Sequence, residues 1–270
     1  MSRRDLLTYL QDFGWDDIAV PAGPGPKGEP AHLARGEAHP PLGLTGQPAQ
    51  PPPVAVSSDD PLATPDLAAM AHVLAGCHRC RLCQARKQVV FGVGNPHARV
   101  VFVGEGPGAD EDRLGEPFVG KAGQLLNEML PSIGLRRGDV YIANIVKCRP
   151  PGNRDPEPDE AAACLPFLKR QIELVDPVVI VCLGRIAARY LLGTTAPISG
   201  YRGRWTRWEG REVLPTYHPA YLLRNPAAKR DAWTDLKRLQ ERLRKGGEGR
   251  GSRNEVPGSE GCGPRLEKGT

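Results

Sequence analysis

Four short apolar runs constrain this chain more than any other feature. They are Arg99–Glu105 (RVVFVGE), Val140–Val146 (VYIANIV), Val178–Leu183 (VVIVCL) and Val213–Tyr217 (VLPTY). Short, near-continuous apolar runs of this kind read as strands buried on both faces. Segments of helical period lie around and between them. Asp66–Ala75 follows Pro65, and Ala122–Gly134 sets Leu125, Leu126, Met129, Leu130 and Ile133 on one face. Asp159–Val175, Ile186–Leu192 and Ala232–Lys245 continue the series, and Tyr201–Val213, with Gly203, Trp205, Trp208 and Gly210, reads as a hairpin-like excursion. Such alternation predicts an α/β fold, a parallel sheet with helices on both faces. Ligands in these folds sit beyond the carboxyl ends of the strands. Gly104-Glu105-Gly106-Pro107-Gly108, Asn144 and His218 all fall at or just past such ends, so three polar signals converge on one edge.

The flanks read differently. Residues 21–65 hold 12 of the chain's 28 prolines. A segment of that composition buries too little apolar surface to fold, so a disordered linker is expected. Residues 1–20 contain one short amphipathic helix pattern with Leu6, Leu7, Leu10, Phe13 and Trp15, either a docking peptide for a protein partner or a tail without a role. Residues 246–270, which include Cys262, read as a second disordered tail. The folded domain is therefore expected over 66–245. Of the net charge of +5, residues 1–65 carry −4 and the tail 0, which leaves +9 on the domain. A domain that basic suits a polyanionic partner such as nucleic acid, although solubility alone would also account for it. No apolar stretch reaches the roughly 18–20 residues of a membrane span, and the N-terminus lacks an apolar signal core, so a cytoplasmic protein off the membrane is expected.

Seven cysteines stand at 77, 80, 83, 148, 164, 182 and 262. In a reducing compartment a disulfide framework is not expected. Cys77-x-x-Cys80 has metal-ligand spacing beside Arg79, Arg81 and Arg86, and Cys148 and Cys164 follow 16 residues apart. Four thiolates can hold zinc or an iron–sulfur cluster, and spacing does not separate the two. Cys182 lies inside an apolar run and reads as a small buried hydrophobe. Cys80-x-x-Cys83 repeats the spacing, which makes Cys83 a decoy or a substitute ligand.

Five segments resemble the family 4, iron–sulfur uracil-DNA glycosylases. They are Cys77-His-Arg-Cys80-Arg-Leu, Val103 to Asp112 (VGEGPGADED), Pro117 to Leu126 (PFVGKAGQLL), Tyr141 to Pro151 (YIANIVKCRPP) and His218 to Pro226 (HPAYLLRNP). They run in the family's order across about 170 residues and leave residues 1–65 and the C-terminal tail uncovered. The resemblance implies a three-layer α/β/α sandwich around a four-stranded parallel sheet, a [4Fe–4S] cluster on Cys77, Cys80, Cys148 and Cys164, and hydrolysis of the N-glycosidic bond of deoxyuridine by a monofunctional, monomeric repair enzyme. The cluster is expected to be structural, stapling the Cys77 segment to the Cys148–Cys164 loop and presenting Arg79, Arg81, Arg86 and Arg149 to DNA.

The resemblance also distributes roles. A base inside a duplex must be flipped out before an enzyme can reach it. Phe118 matches the aromatic that stacks on the extruded base. Asn144 matches the amide that accepts from uracil N3–H and donates to O4, a pattern cytosine inverts. His218 matches the histidine that stabilises charge on O2 as the bond breaks. Water is expected against the backbone of Glu105, Gly106 and Pro107, helped by Glu105. Glu111 is expected near uracil C5, excluding the thymine methyl. Leu222 is expected to fill the gap left by the flipped nucleotide, and Arg224 and Lys121 to meet phosphates, the latter opening a helix. Three rivals stand beside this reading. An irreversible uracil binder would carry histidine in the insertion after Asn144, and Cys148–Asp159 has none. A sister-family glycosylase with another base preference would lack Glu105. A non-catalytic metal- or cluster-bearing DNA-binding module would release no uracil.

Overall fold

The computed structural model describes residues 60–248. Helix α1 (Leu67–Leu74) is capped by the Asp66 side chain, and a single turn at Arg81–Gln84 follows. Then come β1 (Val93–Gly94), β2 (Val100–Gly104), α2 (Ala109–Leu114), α3 (Lys121–Ser132), β3 (Tyr141–Asn144), α4 (Pro158–Val175), β4 (Val179–Leu183) and α5 (Gly184–Leu192). The chain closes with β5 (Thr206–Trp208), β6 (Arg211–Thr216), α6 (Pro219–Arg224) and α7 (Lys229–Glu248).

The six strands order as β1-β3-β2-β4-β6-β5. The central four, β3, β2, β4 and β6, are parallel, as expected, and β1 and β5 add short antiparallel edges. Side chains alternate between two apolar layers. Val100 and Phe102 point into the layer formed with α3 and α7, through Leu126, Met129, Leu130, Trp233 and Leu236. Val101 and Val103 point into the layer formed with α1, α4 and α5, through Met70, Phe167, Leu168, Ile172 and Ala188. The result is the anticipated three-layer sandwich. Register aligns the carboxyl ends: Gly104 pairs with Asn144, and Leu183 with Thr216.

Several elements escape the periodicity argument. Helix α2 (ADEDRL) is polar and carries no apolar stripe, while α6 is six residues opened by Pro219. The second run ends as a strand at Asn144 rather than Val146. Ile145 and Val146 instead donate to the carbonyls of Gly104 and Glu105, so the chain curls over the end of β2. The excursion over 201–213 is a β5–β6 hairpin whose turn residues Glu209 and Gly210 both have positive φ, the twist-compatible choice for a tight turn. Within residues 60–65 of the expected linker, Pro61 and Thr64 are buried, and the Thr64 carbonyl accepts from Arg170. The expected N-terminal helix over 1–20, the linker before residue 60 and the tail beyond residue 248 lie outside the described residues.

Phe102 is fully buried at the centre of the sheet. Phe102→Ala should cost about 3–5 kcal/mol of folding free energy, read as a lower midpoint in urea denaturation.

Candidate active site

The aligned strand ends open into a cavity of about 290 Å³. Its walls include Glu105, Gly106, Glu111, Phe118, Asn144, His218, Tyr221 and Arg224. Phe118, Asn144 and His218, drawn from three separated segments, therefore share one compartment. The rings of Phe118 and His218 lie 5.5 Å apart, tilted by 32°.

Each side chain is held by identifiable forces. Phe118 has φ +55, a left-handed conformation that costs a non-glycine residue roughly 1–3 kcal/mol. Two charges hold its loop in place. Arg137 donates to the carbonyls of Pro117 (2.6 Å) and Phe118 (3.1 Å). Glu111 Oε1 accepts from the amides of Val119 (2.9 Å) and Gly120 (2.8 Å), and its Oε2 from Gly108 (3.1 Å). Gly104 supplies the space underneath: a Cβ there would sit 2.6 Å from the Phe118 ring and collide with Asn144 Oδ1. Gly106 does the same beside Val146, where a Cβ would lie 2.8 Å from Cγ2.

Asn144 is buried, and its Oδ1 has no hydrogen-bond partner. A buried orphan acceptor is costly unless a ligand donor meets it. His218 caps α6, its Nδ1 accepting from the Ala220 amide at 3.1 Å. Burial, reinforced by the positive charge of Arg224, pushes its pKa down to about 4. The ring is thus neutral near pH 7, and with Nδ1 accepting, the proton resides on Nε2 as a donor. Glu105 shifts oppositely: burial, then the nearby Asp155 carboxylate, raises it to about 7, against the opposing pull of Arg185.

Two groups expected to meet DNA have other surroundings in the structure. Leu222 is 0 % exposed and packs in the core, so it is not available to fill a gap in DNA; Tyr221 (38 %) and Leu223 (44 %) are the exposed apolar residues of α6. The phase of a short helix is set by what it packs on, and here that turns Leu222 inward. The arginines near the cysteines also have partners within the protein, while Arg79 and Arg81 stay exposed. Arg81 and Arg154 clamp the buried Glu160 (2.9 and 2.7 Å), Arg79 pairs with Asp60, Arg149 donates to Asn153, and Arg86 turns inward. Lys121 is exposed at the start of α3, outside the cavity wall, whereas Arg224 is on it. Arg137, Tyr221 and Asn153 were not anticipated; Arg137 acts across a loop, and no local motif marks it.

Cys77, Cys80, Cys148 and Cys164 line a second cavity together. Donors reach it: the Arg86 guanidinium donates to Cys148 Sγ at 3.3 Å and to the Cys77 carbonyl at 2.7 Å, and the Lys147 backbone amide donates to Cys164 Sγ at 3.3 Å. That donor set suits sulfurs carrying negative charge, and the four residues fit an anionic thiolate-bound group. Among the described residues, no three His, Cys, Asp or Glu side chains close tightly enough on one point for a single metal ion. Cys83 does not line the cavity, and Cys182 is buried inside β4, away from it. Cys262 lies outside the described residues.

A sequence profile of the uracil DNA glycosylase superfamily matches residues 91–237. The type-4 uracil-DNA glycosylase of Archaeoglobus fulgidus is 47% identical over 176 residues, 62% of this chain and 88% of that protein. The type-4 uracil-DNA glycosylase of Thermotoga maritima is 49% identical over 175 residues, covering 63% and 91%. This chain belongs to the type-4 uracil-DNA glycosylase family. A type-5 uracil-DNA glycosylase of Thermus thermophilus is more distant, 33% identical over 190 residues, 57% of this chain and 86% of that protein. The cavity of this type-4 family member presents a ring face, a free amide acceptor and a neutral imidazole donor together. The space over Gly104 is what lets the Phe118 ring and the Asn144 amide lie side by side. Gly104→Ala should lower kcat/KM for uracil excision at least 100-fold, while a thermal melt stays within a few degrees of wild type.

Proposed function

We propose that this chain flips uracil out of DNA and hydrolyses its N-glycosidic bond, leaving an abasic site for base excision repair. The observation that carries the reading is the meeting of Phe118, Asn144 and His218 in one cavity at the carboxyl edge of the sheet. Phe118 stacks on the extruded base. Asn144 Oδ1, the buried acceptor without a partner, takes uracil N3–H, and the same amide donates to O4. Cytosine offers an acceptor and a donor at those positions and is refused. His218 donates from Nε2 to O2, where charge grows as the bond breaks, so its hydrogen bond strengthens toward the transition state. A neutral imidazole keeps that donor without an extra buried charge, and Arg224 adds positive potential for the departing uracil anion.

Water attacks the sugar from the Glu105–Pro107 side. Gly106 leaves room for it, and Glu105, with a pKa near neutrality, is suited to take its proton. Glu111 walls the cavity with both carboxylate oxygens bound to backbone amides, so it does not swing aside for a C5 methyl, which supports its role in refusing thymine. Tyr221 or Leu223, in place of Leu222, supplies the apolar group that fills the gap in the strand. Arg224 and Lys121 meet phosphates, the protein acting on DNA as a monomer.

Cys77, Cys80, Cys148 and Cys164 would hold a [4Fe–4S] cluster, which supplies a structural staple between α4 and the segment after α1. Four thiolates could hold zinc as well, and the reading of a cluster rests on the likeness to the iron–sulfur family. Thiols that stay reduced accord with a cytoplasmic setting. Among the described residues, no helix is long and apolar enough to cross a membrane.

Incubation with labelled U:A, U:G, T:G and single-stranded uracil oligonucleotides, followed by alkaline cleavage, should show strand scission at uracil and none at thymine. Absence of free uracil among the products would end the hydrolytic reading. In the pH profile of kcat/KM, the rate should rise through about pH 7 as Glu105 loses its proton, because only the carboxylate accepts from water. Glu105→Gln should flatten that limb and lower the rate about 10²- to 10⁴-fold. The purified protein should contain iron and absorb near about 400 nm, and Cys164→Ser should lose both.

A further inference from the structure

Lys147 is a lysine with 1 % of its surface exposed, placed between the two sites just described. Lysine is almost never buried to this degree without a partner. Among the described residues no carboxylate forms an ion pair with it; its ammonium donates instead to the backbone carbonyl of Asn144 at 2.8 Å and to Gln171 Oε1 at 2.5 Å on α4. Its backbone is equally occupied. The amide donates to Cys164 Sγ at 3.3 Å, and the carbonyl accepts from the Val90 amide at 2.8 Å. Gln171 is anchored in turn, donating to the Phe91 carbonyl at 2.9 Å and to the Tyr141 hydroxyl at 3.1 Å.

The Asn144 carbonyl needs this donor. It belongs to the last residue of β3, and the neighbouring edge strand β1 pairs only as far as Ile142. A buried carbonyl at a ladder's end must find a partner elsewhere or leave an unpaired dipole in the core. The lysine reaches back three residues to serve it, and so fixes the peptide plane from which the Asn144 side chain projects into the cavity. We propose that Lys147 is a positioning residue that aims the Asn144 amide at uracil and ties that amide to the cysteine-lined wall through the shared contacts with α4. The inference rests on the uracil-excision reading above and goes one residue deeper than it.

The test uses the full chain as purified with its iron. Wild-type excision is read first: if the wild type releases no uracil, the functional reading fails, and not this one. Lys147→Met replaces the ammonium by an apolar group of similar length. Its affinity for free uracil, read as the uracil-induced shift in melting temperature, should weaken about tenfold, the worth of roughly one buried hydrogen bond. Single-turnover excision should slow by a similar factor, while iron per chain and absorbance near about 400 nm stay at the wild-type level. In an Asn144→Ala background the same substitution should slow excision less than about twofold, because the group being aimed is gone. Gln171→Met, which leaves the lysine but removes its second acceptor, should weaken uracil affinity in the same direction by a smaller factor. It carries the test if Lys147→Met does not fold, again with its effect vanishing beside Asn144→Ala. Full wild-type uracil affinity and rate in the variant would overturn the proposal. So would an undiminished tenfold loss in the Asn144→Ala background, or loss of iron in step with activity, either of which makes the lysine a packing element of the cysteine site alone.

Discussion

The parallel ladder ends at the pair Gly104↔Asn144, and beside that end opens the cavity shared by Phe118, Asn144 and His218. Beyond that pair the chain after β3 curls over β2, and the chain after β2 leaves through Gly106. Gly104 has no side chain, so Phe118 can settle against its backbone and Asn144 can keep its oxygen free. Four parallel strands in common register bring their ends to one rim, and His218 arrives there two residues after β6. A one-residue slip would turn every inward side chain to the opposite layer, so the apolar alternation of the core and the geometry of the site are maintained by the same constraint.

Charge does more building here than the net balance suggests. Arg137 and Glu111 hold opposite sides of the Phe118 loop, one through carbonyls and one through amides, and so sustain a left-handed Phe. Glu160, buried and clamped by Arg81 and Arg154, is held down at about pKa 2 and ties the segment after α1 to the start of α4. Arg86 and Lys147 face the cysteines. Part of the +9 on the domain is therefore internal scaffolding.

Glu105 and His218, both on the rim, are driven in opposite directions by one cause. Burial favours neutral forms, which raises a carboxylic acid and lowers an imidazole. Glu105 comes to rest near neutrality, and His218 stays uncharged well below it. Such a divergence lets a base and a neutral donor operate at the same pH. The Nδ1 contact with the Ala220 amide then selects the tautomer, so the cap of a six-residue helix also decides which nitrogen donates.

The amino-acid sequence by itself determined the central parallel strands, the main flanking helices and the cluster of polar residues at the strand ends, because apolar periodicity and strand-end position are local properties. Resemblance in short motifs added the pairing of Phe118, Asn144 and His218. Tertiary structure alone decided the rest. Tyr221, Leu222 and Leu223 are three consecutive apolar residues, and only packing against the core turns Leu222 in and leaves its neighbours out. Arg79, Arg81 and Arg86 read as a basic patch, yet their partners come from residues distant in sequence, up to 79 positions away for Glu160. The links of Lys147 to Asn144 and Cys164, and the opposed shifts of Glu105 and His218, depend on burial and on which dipoles come within hydrogen-bond reach. Those quantities exist only once the chain has folded.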